Sequence, residues 1–138
     1  STLNNIYVIA GTGTAGFLGV GGLATVAQLS SPRGITQDTN GYLYIENSGA
    51  SCVLKMGTDN IITTFAGTCG TSASSGDGGP ASAAKFYQPN GIFAATDGVV
   101  YISDEGANQV KKVSSTLLLT NFAGTQSNGY AGDGGPAT

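Results

Sequence analysis

An all-β fold, assembled from antiparallel four-stranded units, is what this sequence predicts, and three observations carry that expectation. The chain repeats itself at a spacing of 57 residues, its apolar runs are short and end at turn residues, and 23 of its 138 residues are glycine. Only 9% are charged, against about a quarter in an average soluble domain. Such a chain must turn often and cover its apolar flanks with something other than water.

The repeat comes first because it sets the frame for the rest. Ser30–Thr68, shifted by 57, falls on Tyr87–Thr125 without a gap. Identical pairs include Pro32/Pro89, Gly34/Gly91, Ile35/Ile92, Gly41/Gly98, Tyr44/Tyr101, Ile45/Ile102, Gly49/Gly106, Val53/Val110 and Lys55/Lys112. Both copies close on "FAGT", at Phe65–Thr68 and Phe122–Thr125. A partial copy precedes them, with "IAGT" at Ile9–Thr12 and "GVGGLAT" at Gly19–Thr25, and "GDGGPAT" returns at Gly132–Thr138.

Within one unit each element has its own reason. The first strand is expected over about Gly34–Thr39, or Gly91–Thr96. Asn40-Gly41 and Asp97-Gly98 read as two-residue hairpin turns with positive φ at both central residues. The second strand is "YLYIEN", or "VVYISD". Its alternate faces carry Tyr42/Tyr44 and Leu43/Ile45, so both sides are apolar, as in a strand held between two layers. The third strand is placed at about Cys52–Met56, or Gln109–Val113, and the fourth at about Ile61–Thr68, or Leu117–Thr125. In the long connection Pro80 suits the first position of a short helical turn through Ala81–Phe86, where its missing N–H costs nothing.

A four-stranded unit with two apolar faces must pack against a neighbour on each side, which is the logic of a β-propeller blade. A parallel β-helix repeats with much shorter turns, and a duplicated β-sandwich is the plainer alternative. The expected organisation is then a leading fourth strand (about Ile6–Thr12) and Gly-rich loop over 1–29, and a first complete blade over 30–68. An inter-blade loop follows over 69–86, a second blade over 87–125, and a trailing loop of an incomplete blade over 126–138.

Composition narrows the function classes. Five basic residues stand against eight acidic ones, for a net charge of −3, the opposite of the basic footprint that nucleic acid requires. No histidine is present, which removes the usual general base, zinc ligand and Ser-His or Cys-His pair. No apolar run approaches the ~20 residues of a membrane-spanning helix. A start at Ser1 is read as a processed chain or a fragment.

The string "AGTCGTSASSGDGGPASAAKFYQPNGIFAATDGVVYISDEGANQVKKV" resembles the NHL repeat, with its Gly-rich GDGGPAT loop followed by the P-x-G-I, Y-I-x-D and V-x-K-V strands. The resemblance spans essentially the whole chain and is strongest in the second unit. The first unit departs from it, with Leu23 in place of Pro80, Val20 in place of Asp77, and "ENSGAS" in place of "DEGAN". The resemblance implies a ring of about six blades, of which this chain would be roughly a third. A lone piece would expose large apolar faces, so the implied partners are other blades of the same protein or identical copies. Head-to-tail contact between copies would give a ring or an open filament.

Several residues are candidates for a site. Cys52 and Cys69 are too far apart for a CxxC motif and, without histidine, make a poor metal site. Simple hairpin register sets Cys52 opposite about Phe65, so Cys69 overshoots by on the order of 13 Å at ~3.3 Å per residue. A bridge therefore requires the chain to fold back after Gly67. Gln109 and Gln126 replace both cysteines together in the second unit, as loss of a disulfide would, and a disulfide implies an oxidising, extracellular compartment. Two separate thiols are the alternative. Asp77 and Asp133 lie in GDGG loops as weak calcium candidates; calcium wants six to eight oxygens, and fixing the loop through backbone N–H bonds is the plainer role. Arg33 and Asn90 begin first strands, which line a propeller's channel, and with Asp104 they form the candidate ligand site. Asp104 and Glu105 are adjacent, so they point to opposite faces and make a poor acid–base pair. Of Lys111-Lys112, one must enter a blade interface or snorkel along it.

Three functions follow as expectations. The first is a non-enzymatic extracellular structural and interaction module that assembles with further blades or copies, requiring no cofactor. The second, implied by NHL domains of surface receptors and kinase ectodomains, is a sensor propeller for a glycan or peptide ligand. The third is a fragment of a propeller enzyme whose catalytic residues, histidines in similar lyases and hydrolases, lie outside this chain. RNA-binding members of the family use basic surfaces, which this acidic chain lacks.

Overall fold

In the computed structural model, residues 5–130 and 132–138 are described. They form two antiparallel sheets, each with its four strands in sequence order. The first holds β1 (Pro32–Gln37), β2 (Leu43–Asn47), β3 (Cys52–Met56) and β4 (Ile62–Ala66). The second holds β5 (Pro89–Ala94), β6 (Val100–Asp104), β7 (Gln109–Val113) and β8 (Leu119–Ala123). Every strand of the second sheet starts 57 residues after its counterpart. Cross-strand partners repeat as well: Tyr44 lies opposite Lys55 and Ile45 opposite Leu54, as Tyr101 lies opposite Lys112 and Ile102 opposite Lys111.

The first strands start two residues before the expected position, at Pro32 and Pro89. Proline donates no N–H and so fits the first residue of a strand; the ladder slips just after it in both sheets. The hairpins also differ from expectation. Only Gly41 (φ 86°) and Gly98 (φ 81°) have positive φ, not their Asn40 and Asp97 neighbours. The connection is a three-residue one, closed by Asp38 N donating to Tyr42 O at 3.0 Å and Gly41 N to Asp38 O at 3.1 Å. The Asp38 carboxylate holds it by accepting from Asn40 N and Tyr42 N, so a single left-handed residue suffices.

Two further expectations are corrected. Ile6–Thr12 forms no strand, because no neighbouring strand pairs with it among the described residues. The helical turn is a 3-10 turn confined to Ala81–Ala83, with Pro80 capping it in an extended conformation (ψ 133°). Beyond it Lys85 pairs with Ser75 and Phe86 with Ser72, which draws the chain out of the helix.

Two clusters of buried side chains explain the layering. Between the sheets, Tyr44, Val53 and Ala66 meet Val100, Ile102, Val113 and Leu119, with Ala81, Ala84 and Phe86 of the connecting loop. On the other side of the first sheet, Ile45, Leu54, Met56 and Ile62 pack under Ala24 and Ala27 of the N-terminal loop. The first sheet is thus covered on both faces, and Tyr44–Asn47 of β2 are all buried. β6 alternates instead: Val100, Ile102 and Asp104 are buried, while Tyr101 and Ser103 are half-buried. The second sheet has one covered face. Its β5 lies beside β1, where Ala94 N donates to Thr36 Oγ1 at 3.3 Å.

The Gly-rich loops close in one way three times. Gly11 N donates to Ala24 O at 2.9 Å, Gly67 N to Ala81 O at 2.9 Å, and Gly124 N to Ala137 O at 2.8 Å. The backbone just before the fourth strands also repeats, with φ 63° at Asn60 and φ 63° at Leu117. Asparagine tolerates that left-handed conformation; leucine is strained there by roughly 1–2 kcal/mol. Leu117 is exposed, so Leu117→Asn should raise stability by about 1 kcal/mol, read as a higher urea midpoint at unchanged m-value.

Candidate functional site

The positions of the first strands bring two of the predicted ligand residues together. Arg33 and Asn90, each second in its strand, converge on Glu105, the first residue of the 3-10 turn Glu105–Ala107. Asn90 Nδ2 donates to Glu105 Oε2 at 2.7 Å, and Arg33 Nη1 lies 3.7 Å from the same oxygen. Both members of the ion pair are more than half exposed, so solvent screens it. A groove of ≈ 330 Å³ runs beside the cluster, lined by Asn90, Glu105, Asn108, Gln109, Val110 and Gly124 among others.

Asp104 does not present its carboxylate to this cluster. It is fully buried, and its Oδ1 accepts from Tyr87 N at 2.6 Å. Asn47 does the same one blade earlier, accepting from Ser30 N at 2.5 Å. Each ties the end of the second strand to the approach of the first. Burial raises the Asp104 pKa, against the Tyr87 N–H, the nearby Ser74 hydroxyl and the Lys111 charge, which lower it.

Of the two adjacent lysines, Lys111 enters the interface between the sheets. It is fully buried, and its Nζ meets Asp77 Oδ2 at 2.7 Å. The Asp77 carboxylate, a calcium candidate from its loop, therefore already faces a cation. Asp133 is exposed and forms no ion pair among the described residues. Among those residues no group of three or more His, Cys, Asp or Glu could hold a metal ion.

Glu46 was not singled out by sequence reasoning. It is fully buried, with Oε2 accepting from Gly34 N at 3.1 Å and Oε1 accepting no hydrogen bond among the described residues. Burial pushes its pKa up from 4.5 to about 7, against the Gly34 and Gly91 N–H groups and the Arg33 charge, which pull it down. A signal was present: period two puts Glu46 on the face of Tyr44, the face the second sheet covers.

The cysteines are bridged, Cys52 to Cys69, with Cα atoms 5.0 Å apart. The chain folds back at Gly67, whose φ of 86° suits glycine, and Gly70 N then donates to Ala50 O at 2.7 Å. In the second blade Gln126 Nε2 reaches Gln109 Oε1 at a long 3.4 Å, so a weak side-chain contact replaces the covalent one.

The outer face of the second sheet repeats a face that is buried one blade earlier. Tyr44 and Phe65 stack edge-on at 4.8 Å between the sheets; Tyr101 and Phe122 stack edge-on at 5.0 Å with no sheet of the described residues over them. Phe122 is 47% exposed and Phe93, on the same face, 61%. The groove is part of this repeat. Gly67, Val53 and Ala66, the counterparts of its Gly124, Val110 and Ala123, pack against Phe86.

No family model matches the chain. Teneurin-1 of Gallus gallus is 38% identical over 72 residues, 48% of this chain and 3% of that protein. Virginiamycin B lyase from Staphylococcus aureus aligns with 66% of this chain and 26% of its own, at 16% identity and TM-score 0.49. An auxiliary nutrient binding protein from Bacteroides thetaiotaomicron aligns with 71% of this chain and 26% of its own, at 22% identity and TM-score 0.57. The two sheets are consecutive β-propeller blades. The chain spans about a quarter of the solved structures it matches. No helix among its described residues is long and apolar enough to cross a membrane.

Two predictions follow from these buried groups. Glu46 binds its proton more tightly when folded, so its contribution to stability is complete below pH 4.5 and lost as pH rises to about 7. The loss is on the order of 3 kcal/mol; Glu46→Gln should flatten this share of the decline in urea titrations across that range. Replacing Cys52 and Cys69 together by serine should cost about 3 kcal/mol, measured as a lower midpoint that reducing agent does not lower further.

Proposed function

We propose that this chain is a non-enzymatic structural and interaction module of an extracellular protein, whose open blade face takes a further blade of a ring or filament. The observation that carries the reading is the face of Phe93, Tyr101 and Phe122, which repeats a buried inter-blade surface and stands uncovered. Apolar patches of this kind mark interaction surfaces. The disulfide supports an oxidising compartment, and the partial likeness to Teneurin-1 points the same way. The finer assignment to NHL-type blades rests on the GDGGPAT loops and the Y-I-x-D and V-x-K-V strands.

A small-ligand role for the Arg33, Asn90 and Glu105 cluster is less well supported. Its charges are exposed and screened, and the adjoining groove matches the place that Phe86 occupies one blade earlier. That coincidence favours docking of another blade over capture of a glycan or peptide. Absence of histidine supports the non-enzymatic reading.

The isolated chain is expected to bind a hydrophobic dye strongly and to sediment as a concentration-dependent mixture. Phe93→Ser with Phe122→Ser should lower both effects with unchanged far-ultraviolet dichroism, since both side chains are exposed. A single monomeric species with no dye binding, at every concentration, would overturn the proposal.

A further inference from the structure

Three copies of the Gly-rich loop allow its pairing rule to be read, and this inference rests on the interaction-module reading above. Gly19, Gly76 and Gly132 each open the same turn, with the carbonyl accepting from Gly22 N, Gly79 N and Gly135 N at 3.2, 3.1 and 2.9 Å. The residue after the first glycine is Val20, Asp77 or Asp133. Each of the first two loops lies on the blade that follows it. Gly78 N donates to Leu119 O at 2.7 Å, Leu119 N to Gly79 O at 2.9 Å, and Ala81 N to Leu117 O at 2.8 Å. Gly21, Gly22 and Ala24 make the same three bonds with Ile62 and Asn60.

Beneath the turn sits the third residue of the blade's third strand. For Asp77 it is the buried Lys111. For Val20 the matching position is Leu54, and Val20 packs against the cluster that contains it. The loop residue and the strand residue have therefore exchanged together, a charge pair for an apolar pair. Either pairing satisfies both partners; a mixed one would bury a charge with no counter-charge.

The third loop is already folded, held by Gly124 N to Ala137 O, and lies beside Asn108 and Gly124 of the second blade. Among the described residues, Gly134 N, Gly135 O and Ala137 N make none of the bonds that their counterparts make. Asp133 stands where Asp77 stands.

We infer that the surface formed by the trailing loop and the Phe93, Tyr101 and Phe122 face receives a four-stranded sheet carrying lysine or arginine as third residue of its third strand, and that this sheet is not the first blade of a second copy. The first blade fails on two counts. It presents Leu54 to Asp133, leaving the carboxylate without a cation at a place where its counterpart Asp77 is part-buried, and its Ile62 and Asn60 backbone groups are already taken by its own Gly21–Ala24 loop. The fitting sheet has a free fourth-strand edge, a cation for Asp133, and an apolar side chain for the groove beside Gly124.

The test extends the whole chain past Thr138 in two ways. One extension appends a copy of residues 83–125, which places the Lys111 counterpart under Asp133. The other appends residues 26–68, which places the Leu54 counterpart there. In both extensions the appended sheet's own outer aromatic residues, the counterparts of Phe93, Tyr101 and Phe122 or of Tyr44 and Phe65, are changed to serine, so that dye binding reports on the original face. Dye binding and urea unfolding are then measured for each, with and without Asp133→Val. The lysine-bearing extension is expected to lose dye binding at Phe93 and Phe122, and Asp133→Val to lower its urea midpoint. In the leucine-bearing extension the same substitution should raise the midpoint. A further change of the appended lysine to leucine should restore the midpoint that Asp133→Val lowered. If both sheets cover the face but Asp133→Val acts alike in each, or not at all, the pairing rule is overturned and the interaction-module reading stands. If neither sheet reduces dye binding, that reading itself fails.

Discussion

Burial of both faces of a sheet is the constraint on which the rest of this structure depends. β2 places Tyr44 and Glu46 on one side and Ile45 and Asn47 on the other, and all four are buried. Fully burying one large apolar side chain is worth roughly 1.5–3 kcal/mol, so each uncovered face forgoes several such contributions. The first sheet meets the demand with the second sheet on one side and Ala24 and Ala27 of the N-terminal loop on the other. The second sheet meets half of it. Its outer aromatic pair has the geometry of the inner one and no cover.

The Gly-rich loops carry that constraint from blade to blade. Each closes on the Ala-Gly-Thr segment behind it through backbone bonding, and the first two reach forward to the edge of the next sheet through three backbone bonds. Because these bonds are made by backbone groups, they survive the change from "GVGGLAT" to "GDGGPAS". Side chains then discriminate between otherwise similar sheets. Lys111 is fully buried and tolerable only because Asp77 is within 2.7 Å; Leu54 requires no such partner. The same division appears at the disulfide, where the covalent Cys52–Cys69 link and the long Gln109–Gln126 contact occupy one place in two blades.

Polar groups at the ends of β2 and β6 serve geometry first. Asn47 and Asp104 each accept the N–H of the residue leading into their first strand, which fixes where Arg33 and Asn90 begin. Glu46 is held by Gly34 N–H in a site that favours its protonated form. These groups couple the packing of the sheets to pH without forming a nucleophile–base pair.

The 57-residue period, the two apolar faces of the second strand and the turn glycines were legible in the chain because they depend on local chemistry: strand periodicity, hairpin stereochemistry and the preference of short apolar runs for burial. Third strands were placed to the residue, since Cys52–Met56 and Gln109–Val113 are bounded by turns on both sides. First strands were displaced because proline pairing at a strand's start depends on the partner's register, and Ile6–Thr12 forms no strand because a strand needs a neighbour. The need for a fold-back at Gly67 could be read from spacing; its direction could not. Glu46 escaped notice because its burial comes from another sheet, and Asp104 read as a ligand residue because its N–H donor, Tyr87, lies in a loop 17 positions away. The sequence by itself determined the unit and its two-faced character, which follow from short-range periodicity. Only tertiary structure decided which carboxylate met a cation, which stayed in solvent and which face was left bare, because those outcomes depend on distances between segments that the chain brings together only on folding.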